Sequence, residues 1–187
     1  MKKKRTYLGG LLVLLFLSGC STTPGPGERQ AISPRPKPPA ALAQGANASP
    51  VIIATASPLQ CVTYARRLTG VDLRGDAWTW WQNARGKYGR SSKPKRGSIL
   101  VLQRTDHLRY GHLAVVTRVR GPREILVEHA NWLNRGQIHK HQIVRDVSVK
   151  GDWSAVKVWY TPGKTMGKRT YSVSGFIHTP PRKSVGA

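Results

Sequence analysis

Apolar positions divide the chain into a helical part and a longer part of strands. Cys61, Tyr64, Ala65 and Leu68 recur at helical spacing, and Ser57-Pro58 ahead of them predicts the start of a helix, with Ser57 as cap. Gly70 predicts its end. Ala77, Trp80, Trp81 and Ala84 form a second stripe, giving a helix from Asp76 to about Arg85. Gly86 to Lys95 is a basic loop. The period then changes. Ser98–Leu102 is a continuous apolar run, followed by His112–Val119 and Glu124–His129. Gln137–Val149, Ala155–Thr161 and Tyr171–His178 are β-branched and punctuated by Gly and Asp. Two helices ahead of five or six antiparallel strands make an α+β domain, with N-terminal helices packed on the sheet.

The first fifty residues follow another pattern. Met1-Lys2-Lys3-Lys4-Arg5 is a basic start, and Leu8–Leu17 is apolar but shorter than the roughly 20 residues a spanning helix needs. Residues 1–19 therefore read as an export signal. Leu17-Ser18-Gly19-Cys20 resembles the bacterial lipobox, which implies acylation of Cys20 and a lipid anchor. Ser21, where an aspartate is absent, implies by the same resemblance the periplasmic face of the outer membrane. Residues 20–50, rich in Pro, Ala, Gly and Ser, lack apolar periodicity and predict a disordered tether. Residues 51–187 suit one domain.

Charge changes the picture of partners. The formal net charge is +23, with 31 Lys and Arg against 8 acidic residues. A polycation is drawn to anionic polymers and surfaces. In an exported chain these are lipid headgroups and the carboxylate-rich cell wall; a plain solubilising surface is the bland reading. The cations are dispersed and no nucleic-acid motif occurs, so nucleic acid is not expected as a partner.

The chemistry centres on Cys61. With Cys20 consumed by the anchor, it is an unpaired thiol in an oxidising compartment. Placement in the first turn of a helix favours its thiolate; a small core residue in the Cys61/Tyr64/Ala65/Leu68 stripe is the competing reading. His112 heads an apolar strand after Gly111 and suits a general base, or a half-exposed strand end. Alternation puts His129 and Asn131 on one face of the next segment and Glu128 on the other. Charge favours Glu128 as the residue that orients His112, and periodicity favours His129 with Asn131. Trp132 would shield the cluster. His139 and His141 read as a solvated strand face, and Asp106 and His107 as a loop near the cleft. Trp78, Trp80 and Trp81 offer rings for sugars, although the spacing puts Trp81 in the core and Trp78 at the surface. Arg66, Arg67, Arg74 and Arg90 offer partners for carboxylates.

Five segments carry a resemblance: Gln60-Cys61-Val62-Thr63-Tyr64-Ala65-Arg66, Gly75-Asp76-Ala77 ahead of Trp81, Pro94-Lys95-Arg96-Gly97-Ser98-Ile99-Leu100-Val101, Gly111-His112-Leu113-Ala114-Val115-Val116 and His129-Ala130-Asn131-Trp132. In this order they resemble the CHAP domain, the cysteine, histidine-dependent amidohydrolase/peptidase family related to NlpC/P60 and papain-like folds. The similarity covers Leu59 to Trp132 and continues more loosely to about Ile177. It implies hydrolysis of peptidoglycan, at the amide between muramic acid and stem peptide or within the peptides. It assigns the nucleophile to Cys61 and the base to His112, and calls for no cofactor and no metal. Where many members have Glu-x-Asn-Trp, this chain has His129-Ala130-Asn131-Trp132, which resembles the Cys–His–His arrangement of NlpC/P60 enzymes. A non-catalytic, envelope-binding lipoprotein on the same fold is the alternative.

Overall fold

The computed structural model describes residues 48–179. The export signal, Cys20 and most of the tether lie outside them. The elements run β1 (Val51–Ile53), α1 (Cys61–Thr69), a 3-10 turn (Ala77–Thr79) leading into α2 (Trp80–Asn83), and β2 (Gly89–Ser91). β3 (Ile99–Leu102), β4 (His112–Gly121), β5 (Glu124–Ala130) and β6 (Ile138–Asp146) follow. β7 (Ala155–Tyr160), β8 (Thr165–Met166) and β9 (Tyr171–His178) complete the chain. Strands dominate and helices are few.

The expected sheet of five or six antiparallel strands is closed on itself, with further short strands added. All pairings are antiparallel: β3 pairs β4, β4 pairs β5, β5 pairs β6, β6 pairs β7, β7 pairs β9, and β9 returns to β3. That is a six-stranded ring. β1 extends it at β6, β2 at β9 and β8 at β7. Closure removes the exposed edges that an open sheet must protect. β6 makes it possible by being long: one edge pairs with β5, and the other takes β1 at Ile138, His139 and Lys140 and β7 at Val144, Arg145 and Asp146.

Two cores lie back to back on β3 and β4. Leu100, Leu102, Ala114, Val116, Val127, Val144, Val156 and Phe176 fill the ring. Ile99, Val101, Leu113, Val115 and Ile177 face the other way, against Ala65, Val71, Leu73, Ala77, Trp80 and Ala84. β3 is buried on both faces, so its sequence is an unbroken apolar run rather than an alternation. Each such side chain contributes about 1.5–3 kcal/mol by leaving water.

The helices depart from their expected bounds. α1 starts at Cys61, with extended Gln60 as cap (φ −84°, ψ 149°) and no side-chain cap bond. Ser57 and Pro58 carry the local signals of a helix start, but tertiary bonds override them. The Gly136 carbonyl accepts from the Leu59 N–H (3.0 Å) and the Thr55 hydroxyl (2.9 Å), which holds this stretch out of the helix. Gly136, at φ +66°, leaves no room for a side chain beside Pro58. At the other end Gly70 (φ 72°) returns its N–H to the Arg66 carbonyl at 2.8 Å, as expected. The second helix shrinks to the 3-10 turn and four α-helical residues, and β2 falls within the stretch read as a basic loop.

Candidate active site

Cys61 is the first residue of α1, and α1 packs against β4 and β5. The helix belongs to the outer core, so the thiol approaches from outside the ring. His112 is the first residue of β4 and shares the inward face of Ala114 and Val116. Cys61 and His112 therefore come from two layers of the fold. Both line a cleft of about 950 Å3, along with Asp106, His107, Asn131 and Trp132.

The two central histidines are hydrogen bonded: His112 Nε2 lies 3.0 Å from His129 Nδ1, and both rings are buried. If Nε2–H of His112 donates, its Nδ1 is left as the basic nitrogen, the form a general base needs. Trp132 closes over the pair. It stacks on His129 (5.2 Å, 22°) and meets His112 edge-on at 4.8 Å. Behind His129 stands His139, its cross-strand partner, at 5.3 Å and 90°.

Glu128 turns away from this cluster. Its carboxylate accepts from the Tyr64 hydroxyl at 2.8 Å and stands 3.9 Å from Lys140 Nζ. Asn131 does not hydrogen bond His112. It adopts φ 61°, donates from Nδ2 to Gln60 Oε1 (2.9 Å) and accepts the Gly136 N–H on Oδ1 (2.8 Å). Its contact is thus with the residue before the nucleophile. Sequence reading passed over Gln60, whose only signal was its place next to Cys61.

His139 corrects the reading of a solvated strand face. It is 1% exposed, and neither ring nitrogen has a partner among the described residues. His141, two residues on, takes φ 56°, and the β5–β6 register slips between Val127 and His129. This bulge breaks the alternation that would have kept His139 and His141 together. Trp80 is fully buried, Trp81 lies half-buried beneath the Arg90 guanidinium at 4.6 Å, and Trp78 is exposed. The expected carboxylate partners lie elsewhere: Arg74 pairs with Asp72 at 3.1 Å, and Arg66 bonds the Leu73 carbonyl. The cations that line the cleft are Arg109, Lys168 and Arg169.

Electrostatics also differ from expectation. Burial pushes the Cys61 thiol up, and outweighs the N–H groups of Leu113, Val62 and Cys61 itself, which favour the thiolate. Burial, then charge repulsion from His139, holds His112 down to about 3. The resting groups are therefore a neutral thiol and a neutral imidazole, not the thiolate that placement in the first helical turn favours. Alkylation of Cys61 should rise with pH only in the alkaline range, above that of an ordinary thiol, with no acid plateau. A rate plateau below pH 7 would contradict the neutral pair.

Residues 53–131 match the CHAP domain family. A solved structure of an N-acetylmuramoyl-L-alanine amidase from Staphylococcus aureus is similar over 62% of this chain, at 25% identity and a TM-score of 0.40. The likeness covers 30% of that amidase, so this chain spans less than a third of it. No curated protein matches the chain.

Proposed function

We propose that this chain, whose residues 53–131 match the CHAP domain family, is a cysteine amidohydrolase of the cell wall. It would cut peptidoglycan at the muramoyl–peptide amide or within the stem peptides, on a papain-like, NlpC/P60-like fold. The observation that carries the reading is the buried His112–His129 hydrogen bond at the cleft that Cys61 lines.

Each residue has a role in this proposal. Cys61 Sγ attacks the amide carbonyl while Nδ1 of His112 takes its proton. Because the resting groups are neutral, proton transfer accompanies attack. His129 Nδ1 accepts Nε2–H of His112 and stabilises the imidazolium as it forms. The oxyanion meets the Gln60 side-chain amide, which Asn131 holds in place. His112 then gives its proton to the leaving amine, and a thioester remains. Water attacks the thioester, passes a proton to His112 and restores the thiol. Outside the described residues, the proposal includes a lipid anchor on Cys20, a periplasmic outer-membrane position and attraction of the cationic chain to anionic envelope surfaces.

Mass spectrometry of muropeptides tests the reaction. Digestion of purified wall should yield free peptide and glycan strands stripped of peptide if the muramoyl amide is cut, or shortened stem peptides if an internal bond is cut. Cys61→Ser should yield neither. Products that persist with Cys61→Ser, or an unchanged digest with the wild type, would remove the hydrolase and leave wall binding.

A further inference from the structure

Large aromatic side chains of folded proteins are usually at least partly buried. Among the described residues three are exposed, Trp78 (37%), Tyr110 (63%) and Tyr160 (44%). All three line the cleft or a groove that opens from it. The groove, about 460 Å3, is bounded by Asp76, Trp78, Arg104, Asp106, Arg109 and Tyr110, and shares Asp106, Arg109 and Tyr110 with the cleft. Its volume lies within the range of small-molecule sites, roughly 300–1,000 Å3.

The two aromatic walls are fixed relative to each other. The Trp78 N–H donates to the Tyr110 carbonyl at 3.2 Å. Gly111 (φ +65°) makes this approach possible, since a Cβ there would stand 2.8 Å from the Trp78 nitrogen and 2.7 Å from the Leu102 oxygen. The Arg104 guanidinium stacks over the Trp78 ring at 5.0 Å. Such a groove is organised before any ligand arrives, which lowers the cost of binding.

Charge narrows the ligand. The chain has only 8 acidic residues. Two of them, Asp76 and Asp106, line this groove together with Arg104 and Arg109. The groove is balanced on a strongly cationic protein, so it is suited to a neutral ligand rather than a polyanion. Aromatic faces flanked by carboxylates and guanidinium forks match a pyranose, whose C–H face packs on rings and whose rim of hydroxyls and N-acetyl groups takes hydrogen bonds.

We propose that the groove between Trp78 and Tyr110 is a saccharide subsite for an N-acetylated pyranose of the glycan strand. The inference rests on the wall-hydrolase reading for its biological ligand, but not for its test. Tyr110 is two residues from His112 along the chain, and both line the cleft. A sugar held there lies next to the reacting amide, which favours the muramoyl–peptide bond over bonds further along the peptide.

The test is calorimetric titration of the full chain carrying Cys61→Ser with the linear tetramer of N-acetylglucosamine, and separately with a single-stranded oligonucleotide. Saturable tetramer binding is expected, weakened about tenfold by Trp78→Ala and by Tyr110→Ala, because each removes a stacking face. Trp78 lies in the 3-10 turn and Tyr110 in the loop before β4, so a folding defect in one variant leaves the other informative. Absence of saturable tetramer binding, tetramer binding that both variants leave intact, or oligonucleotide binding that these substitutions abolish would overturn the subsite. The titration needs no turnover. Sugar binding without wall hydrolysis would remove the enzyme and keep the subsite, and hydrolysis without sugar binding would do the reverse.

Discussion

Cys61→Ser and His112→Ala should each reduce the release of soluble fragments from purified wall by about four orders of magnitude or more. The double variant should lose little beyond either single one, because the thiol and imidazole act as one unit. Serine is nearly isosteric with cysteine, so folding should survive the first change. The same assay ranks the residues behind the base. His129→Ala removes the partner of His112 Nε2 and should cost roughly a hundredfold. Glu128→Ala removes the partner of the Tyr64 hydroxyl and should cost about 1 kcal/mol of stability, with activity kept in the folded fraction. Additive losses at Cys61 and His112, or a greater loss at Glu128 than at His129, would mean that the proposed unit does not operate.

The second large effect is acid unfolding. His112, His129 and His139 are each no more than 4% exposed, and burial holds all three below the ordinary histidine value. Repulsion from charge on His139 adds to this at His112 and His129. For such groups the unfolded chain binds protons that the fold refuses. The stability they contribute is fully present above about pH 6.5 and is lost as pH falls toward about 3, the value for His112. At pH 5 His112 alone forfeits about 2 kcal/mol, from a total stability typically on the order of 5–15 kcal/mol. Circular dichroism against pH should therefore show a cooperative transition near pH 5, with uptake of about two or three protons. A fold that persists unchanged to pH 3 would mean that the protonated rings find acceptors within it.

Individual residues show what the sequence could reveal. His112 and His129 were readable because each sits on a regular stretch of strand, where parity decides the face. His139 was not, because the bulge at His141 changes parity and no local signal announces it. Asn131 leaves the strand at positive φ, so extending the alternation one step too far assigned it to His112 instead of Gln60. The start of α1 failed for a similar reason: Ser57-Pro58 satisfies local rules, and the Gly136 carbonyl that overrides them lies 77 residues beyond Leu59, in a loop with no periodicity of its own. Ring closure was equally hidden, since nothing in β6 alone says that its second half pairs with β7.

That closure bears on when activity begins. Cys61, His112, His129 and Asn131 all lie before Trp132, but the ring that holds β4 and β5 needs the strands after it. β3 lies between β4 and β9, with Ile99 opposite Ile177, so one of its sides is unpaired until the last strand arrives. Contacts of such long sequence separation form late, because their loop-closure entropy must be met first. Until β9 is in place, a chain that already carries Cys61, His112 and His129 still lacks the closed frame that brings the two histidines and the cleft together.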